Sequence, residues 1–138
     1  FINLIHSVDS LKLLKVIDKE SEKINKITKC LIQVNISNEV SKYGFKFSDL
    51  NFLNPEFLKD YQNIKIKGLM GMASYSSNKE NIQKEFNSLN DKYVNLKKDL
   101  SSFSILSMGM SNDYELALRE GSNMIRVGSK MFGERNYH

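Results

Sequence analysis

The chain has one cysteine, one proline, two histidines and no tryptophan in 138 residues. A lone Cys30 excludes an internal disulfide and any Cys-x-x-Cys redox pair. Set between Lys29 and Leu31 at the start of an apolar run, it reads as a small buried apolar side chain. His6, His138 and Cys30 are far apart and lack the spacing of a metal centre, so no metal is expected. The hydrophobic fraction is 41% and the apolar runs are short, well below the ~20 residues that a membrane helix needs. No membrane span is expected. A Gly-x-Ser-x-Gly elbow and a dinucleotide glycine pattern are both missing, and Ser107-Met108-Gly109-Met110-Ser111 does not substitute for the elbow. Twenty basic residues exceed sixteen acidic ones, for a net charge of +4. The lysines alternate with acids, as in Asp18-Lys19-Glu20-Ser21-Glu22-Lys23, with no interleaved aromatic stripe. That pattern describes solvated helix faces, and nucleic-acid binding is not expected.

What is present is a regular alternation of strands and helices. Phe1 to His6 reads as a strand, and Asp9 as the cap of a helix with an apolar stripe at Leu11, Leu14, Ile17 and Ile24. Cys30 to Ile36 reads as a buried strand. Ser48 opens a short helical stretch that Pro55 either interrupts or restarts at a first-turn position. Ile64 to Met70 is the third strand. Asn78 caps the clearest helix, whose stripe of Ile82, Phe86, Leu89, Tyr93, Leu96 and Leu100 suits a sheet-covering role. Phe103 to Ser107 is the fourth strand, Asn112 or Asp113 caps a helix through Glu120, and Gly121 suits a left-handed helix end. Met124 to Val127 is the last strand. Five strands separated by helices favour right-handed parallel crossovers, in an open sheet or a barrel.

Chemistry in such a fold sits after the strands. Gly128 leaves room for close backbone approach, and amides there, with the Ser129 hydroxyl, suit phosphate oxygens. Ser107, or in second place Ser111, is a candidate second phosphate donor, against a purely local hydrogen-bonding role. Gly109 either relieves crowding beside a ligand or permits a turn. Arg126, inside an otherwise apolar strand, must be paired or face a polar cavity, the first alternative being a salt bridge to Glu120 or Glu115. His6 and Asn35 are polar strand residues that either line the cavity or make satisfied core hydrogen bonds. Lys42 reads as an ion-pairing loop residue.

Several ordered blocks carry a resemblance. Leu106-Ser107-Met108-Gly109-Met110-Ser111, Met124-Ile125-Arg126-Val127-Gly128-Ser129 and Met131-Phe132-Gly133-Glu134-Arg135-Asn136-Tyr137 close the chain. Ile5-His6-Ser7-Val8-Asp9, Gln33-Val34-Asn35-Ile36-Ser37 with Glu39, Lys42 and Gly44, and Gly68-Leu69-Met70 precede them. Together they resemble the pyridoxal-phosphate-binding family known as YggS in bacteria and proline synthetase co-transcribed homologue in animals. That family shares its barrel with the amino-terminal domain of alanine racemase. The resemblance implies an α/β fold of (β/α)8 TIM-barrel type, with this chain covering roughly strands 4 to 8. Residues 1–138 are then the carboxyl-terminal portion of a single barrel domain, as expected for a chain that begins at Phe1 in a strand-like run and is short of the ~250 residues of a complete barrel.

The resemblance also implies the cofactor, pyridoxal 5'-phosphate, with its Schiff-base lysine on a first strand that this chain does not contain. It implies a phosphate clamp at Gly128 and Ser129, Arg126 near the pyridine nitrogen, and Met70 and Met108 as walls beside the ring. Lys130, directly after the clamp, departs from the family's small or apolar residue and is not expected to replace the missing lysine. The implied role is cytoplasmic vitamin B6 homeostasis without established turnover, by a full-length monomer in transient contact with pyridoxal-phosphate-dependent apoenzymes. The alternatives are a racemase-type enzyme and a barrel aldolase or isomerase acting on a phosphorylated substrate.

Overall fold

A computed structural model describes residues 2–37 and 39–135. Phe1 and the Asn136-Tyr137 end of the closing motif lie outside the described residues. The elements are β1 (Ile5–Val8), α1 (Leu11–Lys23), β2 (Thr28–Val34), a 3-10 turn (Phe47–Phe52), α2 (Pro55–Leu58), β3 (Ile64–Gly71), α3 (Lys79–Lys97), β4 (Ile105–Met110), α4 (Tyr114–Arg119), β5 (Met124–Arg126) and α5 (Ser129–Phe132). The five strands form one parallel sheet in the order β1-β2-β3-β4-β5. A strictly sequential order means that each right-handed crossover steps the same way, so the connecting helices gather on one face. A doubly wound sheet reverses its order instead. The architecture is therefore a five-strand parallel half-barrel, and β1 and β5 are its edges.

The core lies between sheet and helices. Val8, Cys30, Ile32, Val34, Ile66, Leu69, Leu106 and Met108 from the strands meet Leu14, Ile17, Ile82, Phe86, Leu89, Tyr93 and Ala117 from the helices. In α3 the stripe works as its spacing predicts: Ile82, Phe86, Leu89 and Tyr93 are buried, and the Asn78 side chain accepts from the Asn81 amide. Cys30 is fully buried, and burial pushes its thiol up to about 11. Such a thiol is protonated at neutral pH and chemically quiet.

Several boundaries differ from the sequence reading for identifiable reasons. Ser10 caps α1 in place of Asp9, its Oγ accepting from the Leu13 amide. Ile24 falls past the end of α1 and is exposed, while the buried Ser21 pairs its hydroxyl with that of Thr28 at 2.6 Å. β2 stops at Val34 because the Asn35 side chain turns the chain, donating to the carbonyls of Glu39 and Lys42. Pro55 restarts a helix at its first turn. Two strands run further than expected, β3 to Gly71 and β4 to Met110. That extension decides which side chains reach the end of the sheet.

Candidate functional site

The carboxyl ends of the strands surround a cleft of about 1000 Å³, lined by residues from four loops and the strand ends between them. The loop after β2 contributes Ser41, Lys42 and Tyr43, and the loop after β3 contributes Met72, Ala73 and Tyr75. Ser111, Asn112 and Asp113 follow β4, while Gly128, Ser129 and Phe132 follow β5. Arg126, the last residue of β5, reaches the same space.

The loops are tied to each other. Lys42 Nζ donates to the Ala73 carbonyl at 3.2 Å and pairs with Glu39 at 3.5 Å, joining the loops after β2 and β3. Glu85 of α3 holds the latter loop from outside, its carboxylate accepting from the Ser74 amide at 2.8 Å and the Ser74 hydroxyl at 2.6 Å. Lys42 thus lines the cleft, on a loop that Asn35 holds through the Glu39 and Lys42 carbonyls. Asp113 Oδ1 accepts from the Met110 amide at 2.7 Å and closes the turn out of β4.

Gly128, Ser129 and Arg126, expected at the site, line the cleft. The backbone of Gly128 has φ −123, accessible to any residue, and a Cβ built there meets nothing within 4 Å. Packing among the described residues therefore leaves the space over this glycine open. Ser111 converges on it from the neighbouring strand, its Oγ accepting from the Gly128 amide at 3.2 Å and the Lys130 amide at 3.3 Å. Both bonds are at the long end of the usual range. Of the two candidate serines, Ser111 is the one that lines the cleft and bonds the Gly128 amide.

Ser107 does something else. It is fully buried, and its Oγ accepts from Arg126 Nη1 at 2.6 Å, while Arg126 Nη2 donates to the Gly71 carbonyl at 3.0 Å. No salt bridge joins Arg126 to Glu120 or Glu115 among the described residues; Glu120 accepts from Gln83 and Glu115 from Tyr114. Burial pulls the guanidinium below its ordinary value, and Asp113 pulls it back up. An arginine remains protonated under such influences.

The ring-wall expectation needs correction. Met108 is fully buried in the helix-side core, and Met70, 4% exposed, does not line the cleft. The methionines that do are Met72 and Met110, each two residues further along. Met72 follows Met70 by a step of two, which keeps the strand face, whereas in β4 the positive φ of Gly109 and the register shift against β5 break the alternation, so that Met110 turns to the cleft while Met108 faces the helices. Gly109 is likewise corrected to a packing role. With φ +100, its missing Cβ would sit 2.7 Å from Ala117 Cβ and 3.0 Å from Tyr114 Cα, so the glycine admits α4 rather than a ligand. Lys130 turns away from the cleft, donating to the Tyr114 hydroxyl at 2.8 Å over the ring. That hydrogen bond raises its pKa.

His6 Nδ1 is buried without a partner among the described residues. Burial and then the positive charge of Arg126 lower its pKa from 6.5. The unfolded chain therefore binds more protons just below pH 6.5 than the folded one, and the associated stability, complete above pH 6.5, falls as pH drops through the folded-state value. Histidine chemical-shift titration is expected to place His6 below 6.5, and Arg126→Met to move it upward. An unshifted His6 in that variant would disconnect the two side chains.

Comparison with known proteins places this geometry in context. The family model described as alanine racemase, N-terminal domain, matches residues 2–136. The pyridoxal phosphate homeostasis protein of Aquifex aeolicus is 36% identical over 135 residues, which is 97% of this chain and 59% of that protein. Two structures of PipY from Synechococcus elongatus each cover 95% of this chain and 61% of theirs. The one without pyridoxal phosphate has 33% identity and a TM-score of 0.85, and the one with it bound has 30% and 0.81. The chain thus spans about three-fifths of the length of these relatives. Among the described residues, no three metal-ligating side chains cluster and no helix is long and apolar enough to cross a membrane.

Proposed function

The chain belongs to the family of alanine racemase N-terminal domains, and from that premise we propose that it forms the phosphate- and ring-nitrogen-binding part of a pyridoxal 5'-phosphate homeostasis protein. The observation that carries this reading is the convergence of Ser111, Gly128 and Arg126 on one cleft from two adjacent strand ends. The open space over Gly128 fits an incoming anion, and the cleft volume suits a small phosphorylated ligand. Names of the relatives, which describe homeostasis and not turnover, support a holding role over an enzymatic one. The five strands correspond in this reading to the last five of an eight-stranded barrel.

The residues divide the work by charge. The Gly128 and Ser129 amides and the Ser129 and Ser111 hydroxyls are donors for a phosphate, and phosphate can replace Ser111 as acceptor for the long bonds at 3.2 and 3.3 Å. Arg126, with two of its five N–H donors already committed, holds a fixed positive charge toward the ring nitrogen and donates without giving up a proton. A permanent cation there keeps that nitrogen unprotonated. Met72 and Met110 supply apolar cleft surface. When bound, pyridoxal phosphate supplies an aldehyde carbon that amines attack. The chain's contribution is to hold the ligand's two polar ends and to keep the ring a weak electron sink, which suits storage better than catalysis.

Titration of the ligand-free protein with pyridoxal 5'-phosphate, followed by visible absorbance and equilibrium dialysis, tests this. Saturable one-to-one binding, antagonised by inorganic phosphate, is expected. A protein that binds sugar phosphates in its place would belong to the aldolase or isomerase class.

A further inference from the structure

Ser107 is a buried hydroxyl between two buried apolar neighbours, Leu106 and Met108. A hydroxyl in such surroundings needs a partner, and the partner it has is cationic and close, Arg126 Nη1 at 2.6 Å. Strand register explains the meeting. Met70 of β3 is opposite Ser107 of β4, which brings the next carbonyl of β3, that of Gly71, beside the same guanidinium, where it accepts from Nη2 at 3.0 Å. Arg126 is thereby braced on two neighbouring strands while its remaining donors stay uncommitted to these two acceptors. Ser107 is also remote from the clamp. Three strand residues, Met108, Gly109 and Met110, separate it from Ser111, four steps of roughly 3.3 Å each.

We propose that Ser107 is a positioning residue that acts through Arg126, fixing the guanidinium at the ring end of the ligand site, and that it makes no contact with the phosphate. This rests on the pyridoxal phosphate reading above and adds to it the support that aims the cation. A long flexible side chain at a strand end samples several rotamers, and a planar fork loses less freedom for each bond when its plane is held in advance. The Ser107 hydroxyl and the Gly71 carbonyl hold that plane.

The test uses Ser107→Ala, Ser107→Thr, Arg126→Met and the Ser107→Ala/Arg126→Met double variant. Ser107→Ala is expected to weaken pyridoxal phosphate and pyridoxal by the same factor, about tenfold for one charge-assisted hydrogen bond, and to shift the absorbance of the bound ligand in the same direction as Arg126→Met. Ser107→Thr, which keeps the hydroxyl, should restore most of the affinity, and the double variant should bind no more weakly than Arg126→Met alone. A loss confined to the phosphorylated ligand would make Ser107 a phosphate contact and overturn the proposal, as would losses that add in the double variant. Urea unfolding of the ligand-free proteins gives an independent readout, in which the stability losses of the two single variants should exceed in sum that of the double. If the wild-type protein bound no pyridoxal phosphate, the functional reading would fall, and additive unfolding losses would still overturn the bracing of Arg126 by Ser107.

Discussion

Gly128→Leu is expected to lower affinity for pyridoxal 5'-phosphate by two to three orders of magnitude while leaving the fold intact. The size follows from the contacts at stake. A side chain in the open space over this backbone denies a phosphate close approach to the amides on either side. Two charge-assisted hydrogen bonds at about 1.5–3 kcal/mol each account for a loss of that order. The fold should be spared because φ at Gly128 is −123 and, beyond its two chain neighbours, no atom of the described residues stands within 4 Å of the new Cβ. Affinity for pyridoxal, which lacks the phosphate, should change little. Paired titrations of the variant with the two ligands, with a thermal melt of each protein, check the expectation. Equal loss for both ligands, or a large fall in Tm, would remove Gly128 from the phosphate site.

Gly68→Ala should do the reverse, with an effect that appears in stability first. Gly68 has φ +152, and an added Cβ would run into the backbone carbonyl of Ile105, its partner residue on β4. The obstacle is backbone in the middle of the sheet, so no side-chain rotation relieves it. The register with β2 also slips here, Cys30 pairing with Ile66 and Leu31 with Gly68, which leaves Lys67 as the bulged residue. Strain at a special φ together with a broken ladder belongs to the most damaging class of single changes, roughly 4 kcal/mol or more. A Tm lower by ~15 °C is the corresponding shift, measurable by calorimetry or circular dichroism without ligand. A variant that melted with the wild type would mean that β3 and β4 pair differently.

These two glycines show what the sequence carried and what it did not. The alternation of strands with helices, the α3 stripe and the cap at Asn78 are local patterns, so spacing alone revealed them. The choice of barrel over open sheet is not local. It rested on the resemblance, and the sequential strand order then supplied its physical basis. Within the site, Arg126 stood out because a charge in an apolar strand needs an explanation, and Gly128 because of the blocks around it. Nothing in one dimension separates a glycine that makes room for α4, as Gly109 does, from one that leaves room for a ligand.

Ser107 and Ser111 pose the same problem. They are four residues apart in one motif, yet one accepts from Arg126 and the other from the Gly128 amide. The difference arises from where β4 ends, and β4 runs to Met110 because of its pairing with Arg126 of β5, a contact that the sequence does not show. Met72 and Met110 line the cleft where Met70 and Met108 were expected, the first because the chain runs on past Met70 and the second because the alternation of β4 breaks at Gly109. The tie between the loops after β2 and β3, made by Lys42 and the Ala73 carbonyl, likewise joins residues distant in sequence.

The most direct measurement is a crystal structure of the protein grown with pyridoxal 5'-phosphate. The phosphate should lie within hydrogen-bonding distance of the Gly128 and Ser129 amides and the Ser111 hydroxyl. Arg126, still bonded to Ser107, should face the ring nitrogen. A phosphate seated elsewhere, or one bonded to Ser107 with Arg126 swung away, would contradict the assignment of this cleft.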